Sequence, residues 1–97
     1  MVGGVYAVEN AANGRILLAC AADLRGVQKR FEFSCQTGGC FHLKLQRDFE
    51  RYGNGVFTLK VLEELEKKET QTEKEFHSDL NTLEELWRER FDPALLY

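Results

Sequence analysis

The sequence predicts an α+β fold, a small antiparallel sheet flanked by three helices in the order ββααβα. Three observations carry that expectation. Residues 4–8 and 15–21 read as two strands joined through Asn13-Gly14, a dipeptide that tolerates positive φ and favours a hairpin turn. Three later stretches, opening near residues 23, 41 and 72, space their apolar side chains as helices do. Between the last two, "VFTLKVL" alternates, with Phe57, Leu59 and Val61 facing inward and Thr58 and Lys60 outward.

Each element has its own local reasons. "GGVYAVEN" alternates well enough for a first strand from about Gly4 to Val8. In "RILLACA" the apolar residues run without a break, so both faces of the second strand are expected to be covered. Asp23 is a natural N-cap for a first helix whose buried stripe is Leu24, Val27 and Phe31, although Gly26 costs that helix about 1 kcal/mol relative to alanine. "SCQTGGC" reads as a loop. The second helix is expected over about Phe41 to Tyr52, with Leu45, Phe49 and Tyr52 on one face and Gly53 as its C-terminal cap. "EELEKKETQ" reads as a polar connector, and Thr72 with Glu75 as a capping box opening the third helix. That helix carries Phe76, Leu80, Leu83 and Trp87 on one side, with Phe91 a turn further on. Pro93 is expected to stop it and "ALLY" to pack back as an apolar tail.

The bulk properties narrow the setting. Ninety-seven residues, 43% apolar and 30% charged, suit one domain over residues 1–97. No apolar run approaches the roughly 18 residues needed to span a bilayer, so no membrane partner is expected. "MVGGVYAVEN" has neither the basic start nor the long apolar run of a signal peptide, which makes the cytoplasm the expected address. Cys20, Cys35 and Cys40 are then expected to be reduced, and their odd number argues against a disulfide framework. Residues 1–59 carry a net charge of +2 and residues 60–97 a net −5, giving −3 in all. A dedicated nucleic-acid binder is usually more basic. Any contact with phosphates must therefore be local, and Arg25, Lys29, Arg30, Lys44, Arg47 and Arg51 are the candidates.

Cys35, Cys40 and His42 invite a metal-site reading, but no fourth ligand is obvious, and they are read as loop and packing residues. His77, on the polar side of the third helix, reads as a surface residue. Neither a phosphate-binding glycine loop nor a paired His/Cys nucleophile arrangement occurs.

An ordered string does stand out. It runs from "GVY" (4–6), through a strand after an Asn-Gly turn and "DL" opening a helix, to "KLQRDFERYGNGVFTLKVLEEL" (44–65) and "LEELWRERFDP" (83–93). In order and spacing this string resembles the GIY-YIG nuclease superfamily over about residues 4–93. The likeness is to its small stand-alone bacterial members and to the catalytic modules of phage-type homing endonucleases. The resemblance implies a three-stranded antiparallel sheet flanked by helices, and metal-dependent phosphodiester hydrolysis around one divalent ion, Mg²⁺ or Mn²⁺. In that chemistry a first-strand tyrosine helps activate water, a second tyrosine and a first-helix arginine hold the scissile phosphate, and a late-helix glutamate anchors the metal.

Carried over by position, the match is partial. Tyr6 fits the first tyrosine, and Glu84, with Trp87 at +3 and Phe91 at +7, fits the metal-binding glutamate. Glu73, with Phe76 and Leu80 at the same spacings, is a weaker second candidate. The second motif falls on Leu17, Leu18 and Ala19, and Cys20 replaces the small hydroxyl residue that often follows. Val27 stands where the arginine is expected and Phe31 at the aromatic or histidine site one turn later. These departures lead to the expectation of a degenerate centre with weak or absent cleavage and retained binding of DNA through Lys29, Lys44, Arg47 and Arg51. An active endonuclease using Tyr6, Glu84 and a displaced Arg25 or Arg30 is the alternative. A third reading is a non-enzymatic module binding a protein partner, with no metal.

Overall fold

The computed structural model describes residues 2–39 and 41–97. Along the chain come β1 (Val2–Asn10), β2 (Ile16–Ala21), α1 (Leu24–Thr37), α2 (Gln46–Tyr52), β3 (Phe57–Glu66) and α3 (Glu73–Arg88), which is the predicted order. The strands form one antiparallel sheet, ordered β2-β1-β3. Burial explains why β1 is central: from Gly3 to Val8 every residue is buried, so this strand is covered on both faces and both edges. The Asn13-Gly14 turn closes β1 onto β2 with Gly14 at φ 73° and the Asn10 amide donating to Arg15 O at 2.8 Å.

Each face of the sheet carries its own core. On one side Tyr6, Val8, Leu17 and Phe57 pack with Leu24, Val27 and Phe31 of α1 and with Phe41, Leu45 and Phe49. On the other, Val5, Ala7 and Leu18 pack against Leu83, Trp87 and Phe91 around α3 and against Leu96 of the tail. The unbroken apolar run of β2 is thereby explained, since Leu17 enters one core and Leu18 the other.

Helix α1 begins as expected, with the Asp23 carboxylate accepting from the Gly26 amide. It then continues through Ser34–Thr37, where a loop was expected. Ser34 and Thr37 turn their hydroxyls onto the carbonyls of Arg30 and Phe33, at 3.0 and 2.9 Å, so these side chains are satisfied without leaving the helix. Gly38 ends it in the left-handed conformation, at φ 74°. The expected second helix divides in two. A 3₁₀ turn over Leu43–Leu45, capped by His42, leads into α2, which Gly53 terminates with its amide on Phe49 O. Strand β3 runs four residues beyond the alternating stretch, so "EELE" belongs to the sheet rather than to the connector. Helix α3 opens on the predicted capping box, Thr72 with Glu75. It ends at Arg88, before Pro93, which starts a short 3₁₀ turn instead. The tail does pack back: the Tyr97 amide donates to Ile16 O at 3.0 Å. The Tyr97 hydroxyl donates to the Asp48 carboxylate and accepts from the Asn10 amide, and these contacts, with Asn13, hold Asp48 below the ordinary carboxylate range.

Between Val5 and Tyr6 the β1–β3 register slips by one residue, with Glu63 opposite Val5 and Val61 opposite Tyr6. Leu62 is the extra residue of this bulge, and its consequence is that both Leu62 and Glu63 serve the α3 side. Leu62 enters that core, while Glu63 accepts from the Trp87 indole at 2.8 Å. Gly4 lies beside the bulge, where a Cβ would run into the Glu63 carbonyl oxygen. The glycine of "GVY" is thus a close-approach glycine, needed for the strands to pair there. Replacing Gly4 by alanine is expected to cost about 1–3 kcal/mol, measurable as a lowered midpoint in urea unfolding. Among the described residues no helix is long and apolar enough to cross a membrane.

Candidate active site

The sheet brings Tyr6 to the centre of β1, opposite Ala19 of the edge strand β2. Its ring is almost wholly buried, at 4% exposure. The Phe41 ring meets it edge-on at 6.4 Å and meets Phe31 at 5.3 Å. Over the same Phe41 ring, 5.1 Å from its centre, lies the Arg30 guanidinium. Phe41 thus acts as a platform that holds Arg30 near Tyr6, close enough for the Arg30 charge to act on the Tyr6 hydroxyl. Burial pushes the Tyr6 hydroxyl above its ordinary pKa of 10.0, only partly offset by the Arg30 charge, so it is a neutral phenol at neutral pH.

Glu84 approaches from α3 on the other side of the β2 edge. Its charge is felt at both the Tyr6 hydroxyl and the Cys20 thiol. Cys20 donates its thiol toward the Asn81 amide oxygen at 3.6 Å. Burial first, and Glu84 second, raise its pKa, so it stands protonated rather than as a thiolate. Glu84 is partly buried and pairs with Arg88 at 3.6 Å.

The structure thus brings together Tyr6, Arg30 and Glu84 from the predicted set. Leu17 and Val27 lie in the core beneath, 3% and 5% exposed, in the same apolar cluster as Tyr6 and Phe31. Arg25 does not join the centre. Two residues from Val27 is about 200° around a helix, and Arg25 lines a separate groove with Val2, Gln28, Val61 and Glu64. Glu73 is exposed at the first turn of α3, more than two turns before Glu84.

The four basic residues expected to meet nucleic acid are all exposed but are not gathered in one place. Lys44 and Arg47 share a groove with Arg15, Leu43, Asp48 and Tyr97. Arg51 lies over the Tyr52 ring at 5.2 Å on α2, and Lys29 is on α1 beside Arg30. His77 is exposed on α3. Of the cysteine–histidine group, Cys35 sits on α1 against the core rather than in a loop, and Cys40 lies outside the described residues. His42 spends its Nδ1 as the acceptor for the Lys44 amide at 3.1 Å. Burial, with the charges of Lys44 and Arg30, lowers its pKa and keeps it neutral.

A metal-ion reading has to rest on Glu84. No group of three or more His, Cys, Asp or Glu side chains capable of holding a metal occurs among the described residues. The neutral Cys20 thiol is not the thiolate that a soft ion prefers. One carboxylate at the mouth of the centre does fit a hard divalent ion that retains most of its waters.

The architecture is that of a homing-endonuclease catalytic domain. The catalytic domain of homing endonuclease I-TevI superposes with a TM-score of 0.69, over 98% of this chain and 95% of that one, at 24% identity. A glutamate-to-alanine mutant of the same catalytic domain superposes at 0.65, over 93% and 84%, also at 24% identity. No family model matches the chain. In sequence, it is 34% identical over 65 residues to intron-associated endonuclease 1 of Enterobacteria phage T4. That alignment covers 67% of this chain but 26% of the phage protein, so the chain spans about a quarter of that relative's length. The likeness to the solved structures is one of fold, and the motif string of residues 4–93 resembles that of the GIY-YIG nuclease superfamily.

Two neighbours of the centre escaped the sequence reading, Asn81 and Arg88. The spacing of Glu84 and Arg88 at i and i+4 was visible, but its meaning depends on the sheet edge that both approach.

Proposed function

We propose that this chain is a slow, divalent-metal-dependent endonuclease domain that binds DNA and cleaves it at a centre made of Tyr6, Arg30 and Glu84. One observation carries the reading: the Arg30 guanidinium, seated on the Phe41 ring, stands near the Tyr6 hydroxyl and supplies from one turn along α1 the positive charge that Val27 cannot. Arg30 can neutralise charge developing on phosphate oxygens. Tyr6, a neutral phenol at neutral pH, can donate its O–H to a phosphate oxygen or to the attacking water. Glu84 would hold Mg²⁺ or Mn²⁺, and such an ion, when bound, polarises the phosphoryl group and acidifies water.

The reading includes a reason for slowness. Leu17 offers no hydroxyl to a second phosphate oxygen, and Tyr6 is a poor proton acceptor below its raised pKa. Lys44 and Arg47, with Arg15, would add salt-sensitive contacts to the phosphate backbone.

Nicking of supercoiled plasmid in Mn²⁺ or Mg²⁺ is the test. Glu84→Ala is expected to abolish nicking while leaving DNA binding at low salt. If the unaltered chain at stoichiometric concentration binds DNA but produces no nicks, the centre is a binding site only and the proposal fails.

A further inference from the structure

Arg88 belongs to no motif of the family string, yet it occupies a particular place. Its Nη2 lies 3.6 Å from Glu84 Oε1 and donates to the backbone carbonyl of Leu18 at 3.4 Å. Leu18 belongs to β2, the edge strand, in the stretch where the second family motif has lost its tyrosine and glycine. One nitrogen thus joins α3 to the sheet edge and sets a positive charge against the carboxylate on which the metal reading rests. An ordinary i,i+4 pair on a helix surface is free to swing into solvent. This one is anchored by a second, tertiary bond, and the carboxylate it meets is only 21% exposed.

Resting on the endonuclease reading above, we propose that Arg88 is a positioning residue that tunes how strongly Glu84 holds a divalent cation. Its guanidinium stands beside one oxygen of the carboxylate and leaves the other to a metal ion. At the same time its charge opposes an incoming dication, so a metal ion binds only by outcompeting or displacing a resident cation. The centre therefore holds metal weakly until other negative charge, such as a phosphate group, arrives to offset Arg88. Two arginines from opposite sides, Arg30 on α1 and Arg88 on α3, then flank the same carboxylate-bearing edge.

Mn²⁺ binding to the intact chain without nucleic acid, followed by electron paramagnetic resonance, separates this from a structural role. Arg88→Gln keeps an amide donor for Leu18 O and removes the charge. It is expected to tighten Mn²⁺ binding about three- to five-fold, the range that an exposed ion pair can contribute, whereas Arg88→Lys stays near the unaltered chain. Glu84→Gln is expected to lose the binding. A fall in melting temperature for Arg88→Gln, with Mn²⁺ affinity unchanged or weakened, would mean a structural helix pair and overturns the Arg88 assignment alone. Mn²⁺ binding that survives Glu84→Gln overturns the metal reading itself, and this inference with it.

Discussion

Arg30→Ala is expected to reduce nicking by about 10²–10³-fold, the usual cost of removing one donor aimed at developing charge. The reason is positional. Arg30 is the first-helix arginine whose charge acts on the Tyr6 hydroxyl, and the Phe41 ring lies beneath its guanidinium. Arg30→Lys is expected to recover a minor part, because an ammonium keeps the charge but loses the two-pronged geometry. Arg25→Ala, which removes charge from the far side of α1, is expected to leave nicking near the level of the unaltered chain. Rates from plasmid nicking at fixed Mn²⁺ check all three. If Arg25→Ala were the damaging substitution and Arg30→Ala neutral, the displaced-arginine assignment would be reversed. Folding is not the confounder here, since Arg30 is exposed and seated on the Phe41 ring.

Much of the fold was legible because its elements announce themselves locally. Asn13-Gly14, Asp23, Gly53 and the Thr72–Glu75 box each satisfy backbone groups within a few residues, so sequence spacing is enough to find them. The misses have the opposite character. Ser34 and Thr37 look like loop formers, and only their bonds back onto the helix carbonyls keep them in α1. "EELE" looks like a solvated connector, and becomes strand because β1 offers it a partner across the bulge at Leu62. A strand covered by pairing has no signature in its own residues.

The site divides in the same way. Tyr6 and Glu84 are nominated by motif spacing, and the structure sets Tyr6 at the centre of β1 and Glu84 on α3. The choice between Arg25 and Arg30 is partly a matter of helical phase, available from 3.6 residues per turn. What phase cannot supply is Phe41, which arrives from beyond the end of α1 and gives Arg30 its seat. Arg88 is out of reach for the same reason, since its bond to Leu18 spans 70 residues of chain.

Restoring the family arginine by Val27→Arg is expected to harm the protein, not to repair it. Val27 is 5% exposed and packs in the cluster of Tyr6, Leu17, Leu24 and Phe31. A guanidinium there brings a larger, charged side chain in among apolar neighbours. An uncompensated buried charge costs about 3–5 kcal/mol. A loss near 3 kcal/mol would lower the melting temperature by about 12 °C or more in a domain of this size, easily read by circular dichroism. Nicking, measured at a temperature where the variant remains folded, is expected not to rise, because Arg30 already places a positive charge near the Tyr6 hydroxyl and two cations would compete for one phosphate. Leu17 makes the same point from β2, for it lies in the same cluster and is 3% exposed. Should Val27→Arg instead melt near the unaltered chain and nick faster, the cluster has room for a charged arm. Packing would then not be what separates this centre from a fully equipped one.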